Sequence, residues 1–378
     1  MIVRKPPMGW NSWNTFGNNI DEKLIMETAD AMVESGMLDA GYEYLVIDDC
    51  WSEKQRDENG RLVPDKQKFP NGIKSVADYV HSKGLKFGIY SCAGVLTCAG
   101  YPGSFDYEYL DAETFASWGV DYLKYDYCYK PLNQQGHLLY KKMGLALANC
   151  GRDICFSACS WGADSTNEWI KQTGAHLWRS TGDIMDSWNS IKTLLEKQSD
   201  YLTTNGQGCF NDMDMLIVGM HGKGNVGVAG CTDEEYRTHF SAWAFLGSPL
   251  MAGCDVRSMD EATKSIMLNK EIIEINQDGA YRQPFACGSF WLIPEVKVWA
   301  KFLENGDVAI GMFNLTDGDV NPHISLDAIG LSRISGKAVK VRDLWKKEDI
   351  GTFKDVFCAE CIPAHGCKMY RLKIVDAE

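Results

Sequence analysis

Two short segments each place an acidic residue beside a cation at the end of an apolar run. The first ends in Lys124 and Asp126, and the second carries Arg179 with Asp183 four residues later. Two carboxylates at the ends of two strands can perform glycoside hydrolysis, in which one group attacks the sugar and the other transfers a proton. The simpler alternative is that each aspartate caps the helix after its strand. Either segment alone leaves both interpretations open.

The elements that would position these residues follow a regular alternation from residue 8 to about residue 276. Short apolar runs alternate with longer amphipathic segments, and Thr232-Asp233-Glu234-Glu235 is typical of a capping box that opens one helix. The predicted strands are 9–11, 44–48, 86–90, 122–125, 154–158, 176–179, 212–216 and 249–251. Eight strand–helix units of this size favour a (β/α)8 TIM barrel over a doubly wound open sheet.

After about residue 281 the pattern changes to short strand-like runs separated by turns such as Asn305-Gly306. The runs are 290–293, 296–302, 307–314, 338–343 and 367–374. This pattern predicts a small antiparallel β-sandwich. We therefore divide the chain into a catalytic barrel, 1–280, and a C-terminal β domain, 281–378.

In a barrel, functional groups lie where the strands end and the loops begin. The polar and aromatic residues that follow the predicted strands include Trp13, Asp48, Asp49, Tyr90, Lys124, Asp126, Ser160, Trp161, Arg179, Asp183, Asp212 and Asp214. Carboxylates bind sugar hydroxyls, and aromatic rings stack on the apolar face of a pyranose. Such clusters at one end of a barrel predict a carbohydrate-binding pocket.

Composition excludes several classes of partner. The net charge of −13 argues against nucleic acid or an anionic membrane surface, and no apolar run is long enough to span a bilayer. The first residues lack the apolar segment of a signal peptide, so we expect a cytoplasmic protein. The sequence leaves the oligomeric state open, a homo-oligomer included.

Two further motifs give only weak indications of a metal site or a cofactor site. Cys358 and Cys361, with Cys367 nearby, have no second matching pair, so we interpret them as reduced cysteines and expect no metal. The string from Gly222 to Gly227 matches a dinucleotide fingerprint, but the predicted helix begins only near Thr232, so we interpret it as a loop. An oxidoreductase that uses this string is therefore a minor alternative, and we expect no cofactor.

Taken in order, several motifs resemble glycoside hydrolase family 27, the α-galactosidase/α-N-acetylgalactosaminidase family. They are Met8-Gly9-Trp10-Asn11-Ser12-Trp13, Ile47-Asp48-Asp49-Cys50-Trp51, Gly88-Ile89-Tyr90, Lys124-Tyr125-Asp126, Trp178-Arg179-x-x-x-Asp183 and Ile275-Asn276-Gln277-Asp278. The resemblance covers about residues 6–280, and Pro363-Ala364-His365-Gly366 extends it to that family's C-terminal domain. It implies an exo-acting hydrolase of terminal α-linked galactose that needs no cofactor or metal.

The resemblance also implies roles for the paired segments. Asp126 would be the nucleophile of a retaining double displacement, and Asp183 would act first as acid and then as base. Lys124 would help to keep Asp126 ionised through its positive charge. Arg179 would bind the substituent at position 2 of the sugar.

The remaining residues would contact the sugar. Asp48 and Asp49 would bind the 4- and 6-hydroxyls of a ring with an axial 4-hydroxyl, Trp13 and Tyr90 would form walls, and Asp214 would contact the ring from the seventh strand. Cys98 and Cys128 match the family's disulfide beside the pocket, whereas Cys50 should be free because Asn18 stands where its family partner would be.

The segment Cys159-Ser160-Trp161 departs most from the α-galactosidase pattern, in which a long polar residue often stands at Ser160. Small residues at Ser160 and Ala163 are typical of the α-N-acetylgalactosaminidase branch, where they make room for an acetamido group, although Gly162 and Asp164 do not follow that branch. We therefore favour α-galactosidase and keep α-N-acetylgalactosaminidase as the alternative. A galactoside-binding barrel without catalysis is a third hypothesis.

Overall fold

Eight parallel strands form the first part of the protein and are ordered around a barrel as they are along the chain. In the computed structural model, which describes residues 3–198, 206–288 and 293–377, each strand of this sheet pairs with its neighbour and β1 pairs with β8. The strands are β1 (Met8–Asn11), β2 (Tyr44–Val46), β3 (Lys86–Cys92), β4 (Tyr122–Asp126), β5 (Cys155–Ala158), β6 (Leu177–Arg179), β7 (Phe210–Asp212) and β8 (Leu250–Ala252). A bridge between Leu216 and Ala252 closes the sheet between β7 and β8. The predicted (β/α)8 barrel is confirmed.

Helices follow the strands and cover the barrel. They are α1 (Trp13–Phe16), α2 (Glu22–Glu34), α3 (Met37–Ala40), α4 (Gly72–Ser82), α5 (Glu108–Ser117), α6 (Gly136–Asn149), α7 (Thr166–Trp169), α8 (Trp188–Gln198), α9 (Asp233–Leu246), α10 (Glu261–Met267) and α11 (Lys270–Asn276). The predicted capping box is confirmed, because the side chains of Thr232 and Glu235 each accept the other's backbone N–H. None of the helices in these ranges is long and apolar enough to cross a membrane.

The seventh strand differs from its predicted position. The sequence pattern placed it at 212–216, but β7 ends at Asp212. Asp214 has a φ of 81°, in the left-handed region that breaks a strand, and only Leu216 returns to the sheet. This break turns the carboxylate of Asp214 toward Arg179 of β6.

The C-terminal part is antiparallel, and the predicted β-sandwich is confirmed. Its strands are β9 (Phe285–Ala286), β10 (Val296–Phe302), β11 (Val308–Asn314), β12 (His323–Ser325), β13 (Lys337–Asp343), β14 (Glu348–Phe353), β15 (Val356–Cys358) and β16 (Cys367–Asp376). Six of them form a sheet in the order β14-β13-β16-β11-β10-β9, and β12 pairs with β15. The predicted run at 290–293 falls almost wholly outside the described residues.

The two parts share one packed interface. Phe313 of β11 meets Phe245 of α9 edge to face, and the buried ammonium of Lys301 donates to the carbonyl of Ile275 at 3.0 Å. Burial lowers the pKa of Lys301 to about 8. The β domain therefore packs on helices that follow β7 and β8.

Candidate active site

A cavity of about 210 Å³ opens at the carboxyl ends of the barrel strands. Ten of the predicted site residues line it: Trp13, Asp48, Asp49, Tyr90, Lys124, Asp126, Trp161, Arg179, Asp183 and Asp214. They come from seven different strands or the loops that follow them. The barrel therefore gathers residues separated by up to 201 positions, Trp13 to Asp214, around one cavity.

Asp126 closes β4 and is held from two sides. The backbone N–H of Tyr127 donates to Oδ1 at 2.9 Å, and the hydroxyl of Tyr90 donates to Oδ2 at 3.2 Å. Asp126 is only 6% exposed, and this burial raises its pKa to about 6, although the charge of Lys124 and the bond from Tyr127 act in the opposite direction. Asp126 is thus a fixed carboxylate whose ionisation falls in the range in which many enzymes work.

Lys124 of β4 forms an ion pair with Asp48, which follows β2. Its Nζ lies 2.8 Å from Oδ2 of Asp48, which also accepts from the side-chain amide of Asn11 at 2.7 Å. The backbone N–H of Asp49 donates to the other oxygen of Asp48 at 2.9 Å. The side chains of Asp48 and Lys124 are almost buried, so this pair is fixed before any sugar binds.

Asp49 is oriented by two backbone donors. The N–H of Cys50 donates to Oδ1 at 2.7 Å, and the N–H of Ala99 donates to Oδ2 at 2.9 Å. Burial raises the pKa of Asp49 above its usual value, and these two bonds lower it in part. Ala99 follows Cys98, which forms a disulfide with Cys128 as the family resemblance implied. Cys50 is free, as expected.

The disulfide lies against the nucleophile candidate. The sulfurs of Cys98 and Cys128 and a carboxylate oxygen of Asp126 lie within 4.8 Å of one another, and the hydroxyl oxygen of Tyr90 lies 3.4 Å from the Cys98 sulfur. The two sulfurs are bonded to each other, so this group cannot offer two thiolates to a metal ion. Its effect is to connect the loop after β3 with the loop after β4.

Arg179 joins two carboxylates on the opposite side of the cavity. Its Nη2 lies 2.6 Å from Oδ1 of Asp183 and 2.6 Å from Oδ2 of Asp214. Asp214 also accepts from the backbone N–H groups of Ile184 and Met215, each at 2.7 Å. Burial raises the pKa of Asp214 to about 6, against the lowering effect of Arg179. Asp183 differs from Asp214 because 73% of its side chain is exposed, whereas that of Asp214 is 7% exposed.

Two predicted residues do not line the cavity. Ser160 is fully buried and its hydroxyl shares a 2.6 Å hydrogen bond with Thr166, while the sulfur of Cys159 accepts from Arg179 at 3.6 Å behind the pocket. The segment instead presents Trp161, whose φ of 56° turns it away from the strand direction. Strand-end position alone could not distinguish these three neighbours.

Several lining residues were missed by the sequence interpretation. They are Asn14, Ile184, Met185, Met215, Asn225 and Val226. Asn225 and Val226 belong to the glycine-rich stretch that the sequence analysis interpreted as a loop. That interpretation is confirmed, because α9 begins only at Asp233. Their backbone N–H groups donate to the carbonyls of Thr15 and Asn14 in α1, the short helix after β1. The glycines of this stretch were the sequence signal for a close approach of two backbones. At Gly224 (φ 83°) a Cβ would lie only 2.8 Å from the Cα of Thr15.

Comparison with known proteins identifies the family of this chain. Residues 5–278 match the family model described as alpha galactosidase A, and residues 294–372 match the alpha galactosidase C-terminal beta sandwich domain. The chain belongs to the α-galactosidase family. It is therefore a glycoside hydrolase of the family that the sequence motifs resemble.

The relatives match over nearly the whole chain. An alpha-galactosidase of Cyamopsis tetragonoloba is 45% identical over 98% of this chain and 87% of its own. The crystal structure of alpha-galactosidase I from Mortierella vinacea is 36% identical, with a TM-score of 0.91, over 99% of this chain and 97% of its own. The structure of a Saccharomyces cerevisiae α-galactosidase with raffinose is 30% identical, with a TM-score of 0.86, over 98% of each chain.

Proposed function

We propose that this protein removes terminal α-linked galactose from oligosaccharides by a retaining double displacement. The observation that carries the proposal is the pair of carboxylates Asp126 and Asp183, which line one cavity but differ in burial. Relatives named alpha-galactosidase, one of them solved with raffinose, support galactosides as the substrate class.

The chemistry follows from this difference in burial. Asp126, oriented by Tyr90 and Tyr127, attacks the anomeric carbon while Asp183 gives a proton to the departing glycosidic oxygen. The galactosyl ester on Asp126 is then hydrolysed by water, whose proton Asp183 accepts. The exposed position of Asp183 suits a group that must meet first the leaving group and then water.

The sugar is recognised by groups that are fixed before it arrives. Asp48 and Asp49 have oriented oxygens for hydroxyls at positions 4 and 6, and Lys124 stands beside them as a donor. Trp13 and Trp161 supply aromatic walls. Such preorganisation avoids a cost of reorientation in the transition state.

The alternative substrate, α-linked N-acetylgalactosamine, is less well supported. It depended on space left by the small residues Ser160 and Ala163, but the hydroxyl of Ser160 is hydrogen-bonded to Thr166, whose hydroxyl donates to the carbonyl of Ala163. Trp161 rather than Ser160 faces the cavity near Arg179. This arrangement favours a hydroxyl over the larger acetamido group at position 2.

The experiment compares the hydrolysis of aryl α-galactoside with that of aryl α-N-acetylgalactosaminide by the purified protein. We expect a preference for the galactoside of at least about 100-fold in kcat/KM, because the acetamido group would have to displace buried groups. Asp126→Asn serves as the catalytic control and should lose hydrolysis of both. Binding of galactose without turnover by the unmodified protein would instead support the non-catalytic barrel, and a preference for the acetamido sugar would refute the substrate assignment.

A further inference from the structure

Tyr127 and Asp164 form a contact that the proposed reaction does not use. Tyr127 directly follows Asp126 at the end of β4. Its hydroxyl donates to Oδ2 of Asp164 at 2.5 Å, across 37 positions of sequence. The contact connects the end of β4, which carries Asp126, with the loop after β5, which carries Trp161.

The loop that Asp164 anchors has an unusual backbone. Trp161, Asp164 and Ser165 have φ values of 56°, 53° and 51°, and Gly162 has 76°. Three residues with side chains in the left-handed region within five positions persist only where the surroundings fix them. The N–H of Gly162 donates to the carbonyl of Arg179 at 3.0 Å, which fixes one side of the loop.

The surroundings of Asp164 fix the other side. Its carboxylate lies 3.6 Å from Nζ of Lys130, and its carbonyl accepts the indole N–H of Trp169 at 2.7 Å. The bond from Tyr127, more than any other cause, holds the pKa of Asp164 below its usual value. Asp164 is therefore a charged anchor shared by the loops after β4 and β5.

The neighbours of Tyr127, Gly136 and Trp161, leave room for its large side chain and contact it. A Cβ on Gly136 would lie 2.5 Å from the Tyr127 hydroxyl, so this first residue of α6 must stay small. On its other side the ring of Tyr127 meets that of Trp161 edge to face, with centroids 6.4 Å apart. Tyr127 thus contacts Trp161 through its ring and anchors the loop of Trp161 through its hydroxyl.

We propose that Tyr127 and Asp164 are positioning residues that fix Trp161 as a wall of the galactose pocket. The pair acts through Trp161, because Trp161 lines the cavity and Tyr127 and Asp164 do not. This inference rests on the proposed function for the identity of the sugar, but the position of Trp161 can be measured without any sugar. Loss of the Tyr127–Asp164 hydrogen bond should weaken substrate binding more than it slows the chemical step.

The chain offers a matched control between helices α2 and α4, whose residues Asp30 and Tyr79 do not line the pocket. The hydroxyl of Tyr79 donates to Asp30 at 2.9 Å, Lys83 pairs with the same carboxylate at 2.6 Å, and the Lys83 ammonium lies 4.9 Å from the Tyr79 ring centroid. Lys130 lies at a similar 5.0 Å from the ring of Tyr127. Tyr79→Phe therefore removes an equivalent hydrogen bond without touching the pocket.

The experiment uses full-length protein labelled with 5-fluorotryptophan, with the Trp161 resonance assigned by Trp161→Phe. In Tyr127→Phe we expect the ¹⁹F resonance of Trp161 to shift or broaden, KM for aryl α-galactoside to rise about tenfold and kcat to stay within about threefold. Asp164→Asn, which keeps an acceptor for the hydroxyl, should give a smaller change in the same direction. Tyr79→Phe should leave both the resonance and KM unchanged.

An unchanged Trp161 resonance and unchanged KM in both Tyr127→Phe and Asp164→Asn would overturn the inference. Equal effects in Tyr79→Phe would also overturn it, because the cause would then be general loss of stability. If the unmodified protein does not hydrolyse the galactoside, the proposed function fails on its own, and the resonance still decides whether the pair positions Trp161.

Discussion

Nζ of Lys124 lies 2.8 Å from Oδ2 of Asp48, although Lys124 stands only two residues before Asp126 on the same strand. Alternate residues of a strand point to the same face, so Lys124 and Asp126 both face the inside of the barrel mouth. The ammonium of Lys124 therefore pairs directly with Asp48, the proposed sugar-binding carboxylate, and its charge lowers the pKa of Asp126, the proposed nucleophile.

Replacing Lys124 tests this double role. In Lys124→Met we expect kcat/KM to fall on the order of 100-fold, because Asp48 is left buried without its cation and Asp126 loses a charge that favours ionisation. The acidic limb of the pH profile should also move upward by about one pH unit. Lys142→Met, which removes a cation paired with Asp106 and Glu108, is the control. An unshifted pH profile in Lys124→Met would contradict the electrostatic role.

The pH dependence of the unmodified enzyme follows from Asp126. Its pKa is raised to about 6, and only the ionised form can attack, so kcat/KM should fall as the pH drops through about 6. Below that point the loss should approach tenfold per pH unit. Initial rates on an aryl α-galactoside from pH 4 to pH 8 would measure this limb, and full activity at pH 4 would be inconsistent with it.

The same raised pKa predicts a gain of stability when the nucleophile is neutralised. The folded protein binds the Asp126 proton more tightly than the unfolded chain, so its ionised form destabilises the fold above pH 6 and this cost disappears below about pH 4. Asp126→Asn should therefore raise the free energy of unfolding by about 1–3 kcal/mol at pH 8 and by much less at pH 4. Denaturant unfolding at both pH values gives the comparison. An equal effect at both would refute the electrostatic cause.

Removing the disulfide should affect both stability and binding. The double variant Cys98→Ser, Cys128→Ser opens a loop of 30 positions, which is expected to cost about 3–4 kcal/mol of unfolding free energy. KM should also rise, because the loop delivers the Ala99 N–H to Asp49. Cys287→Ala, at a buried free cysteine of the β domain, should leave KM unchanged. An unchanged KM in the double variant would show that the loop is fixed by other contacts.

Most of the barrel could be predicted because its strands are short apolar runs with polar residues at their ends. Seven strands lie within two residues of their predicted bounds, but β7 does not, because the backbone turns into the left-handed region at Asp214. The carboxylate of Asp214 there contacts Arg179 and Ile184, which are distant in sequence. Local pattern carries no information about such contacts.

The site was predictable to the extent that strand ends define it. Position and residue type were enough to predict that Asp126 and Asp183 lie at the cavity, and the family resemblance supplied their proposed roles. Whether Ser160 or Trp161 lines the cavity depended on which side chain the loop turns inward. That choice is made by positive φ values and by Thr166, Tyr127 and Arg179 around the loop. Asn225 was missed for the same reason, since its loop reaches the pocket through backbone bonds to Thr15.

The most direct test of the retaining mechanism is the configuration of the product formed when azide rescues a variant lacking one carboxylate. With an aryl α-galactoside, Asp126→Gly should give β-galactosyl azide, because azide takes the place of the nucleophile. Asp183→Gly should give α-galactosyl azide, because azide attacks the galactosyl ester on Asp126. Nuclear magnetic resonance of the anomeric proton distinguishes them. The α-azide from Asp126→Gly, or the β-azide from Asp183→Gly, would contradict the assigned roles.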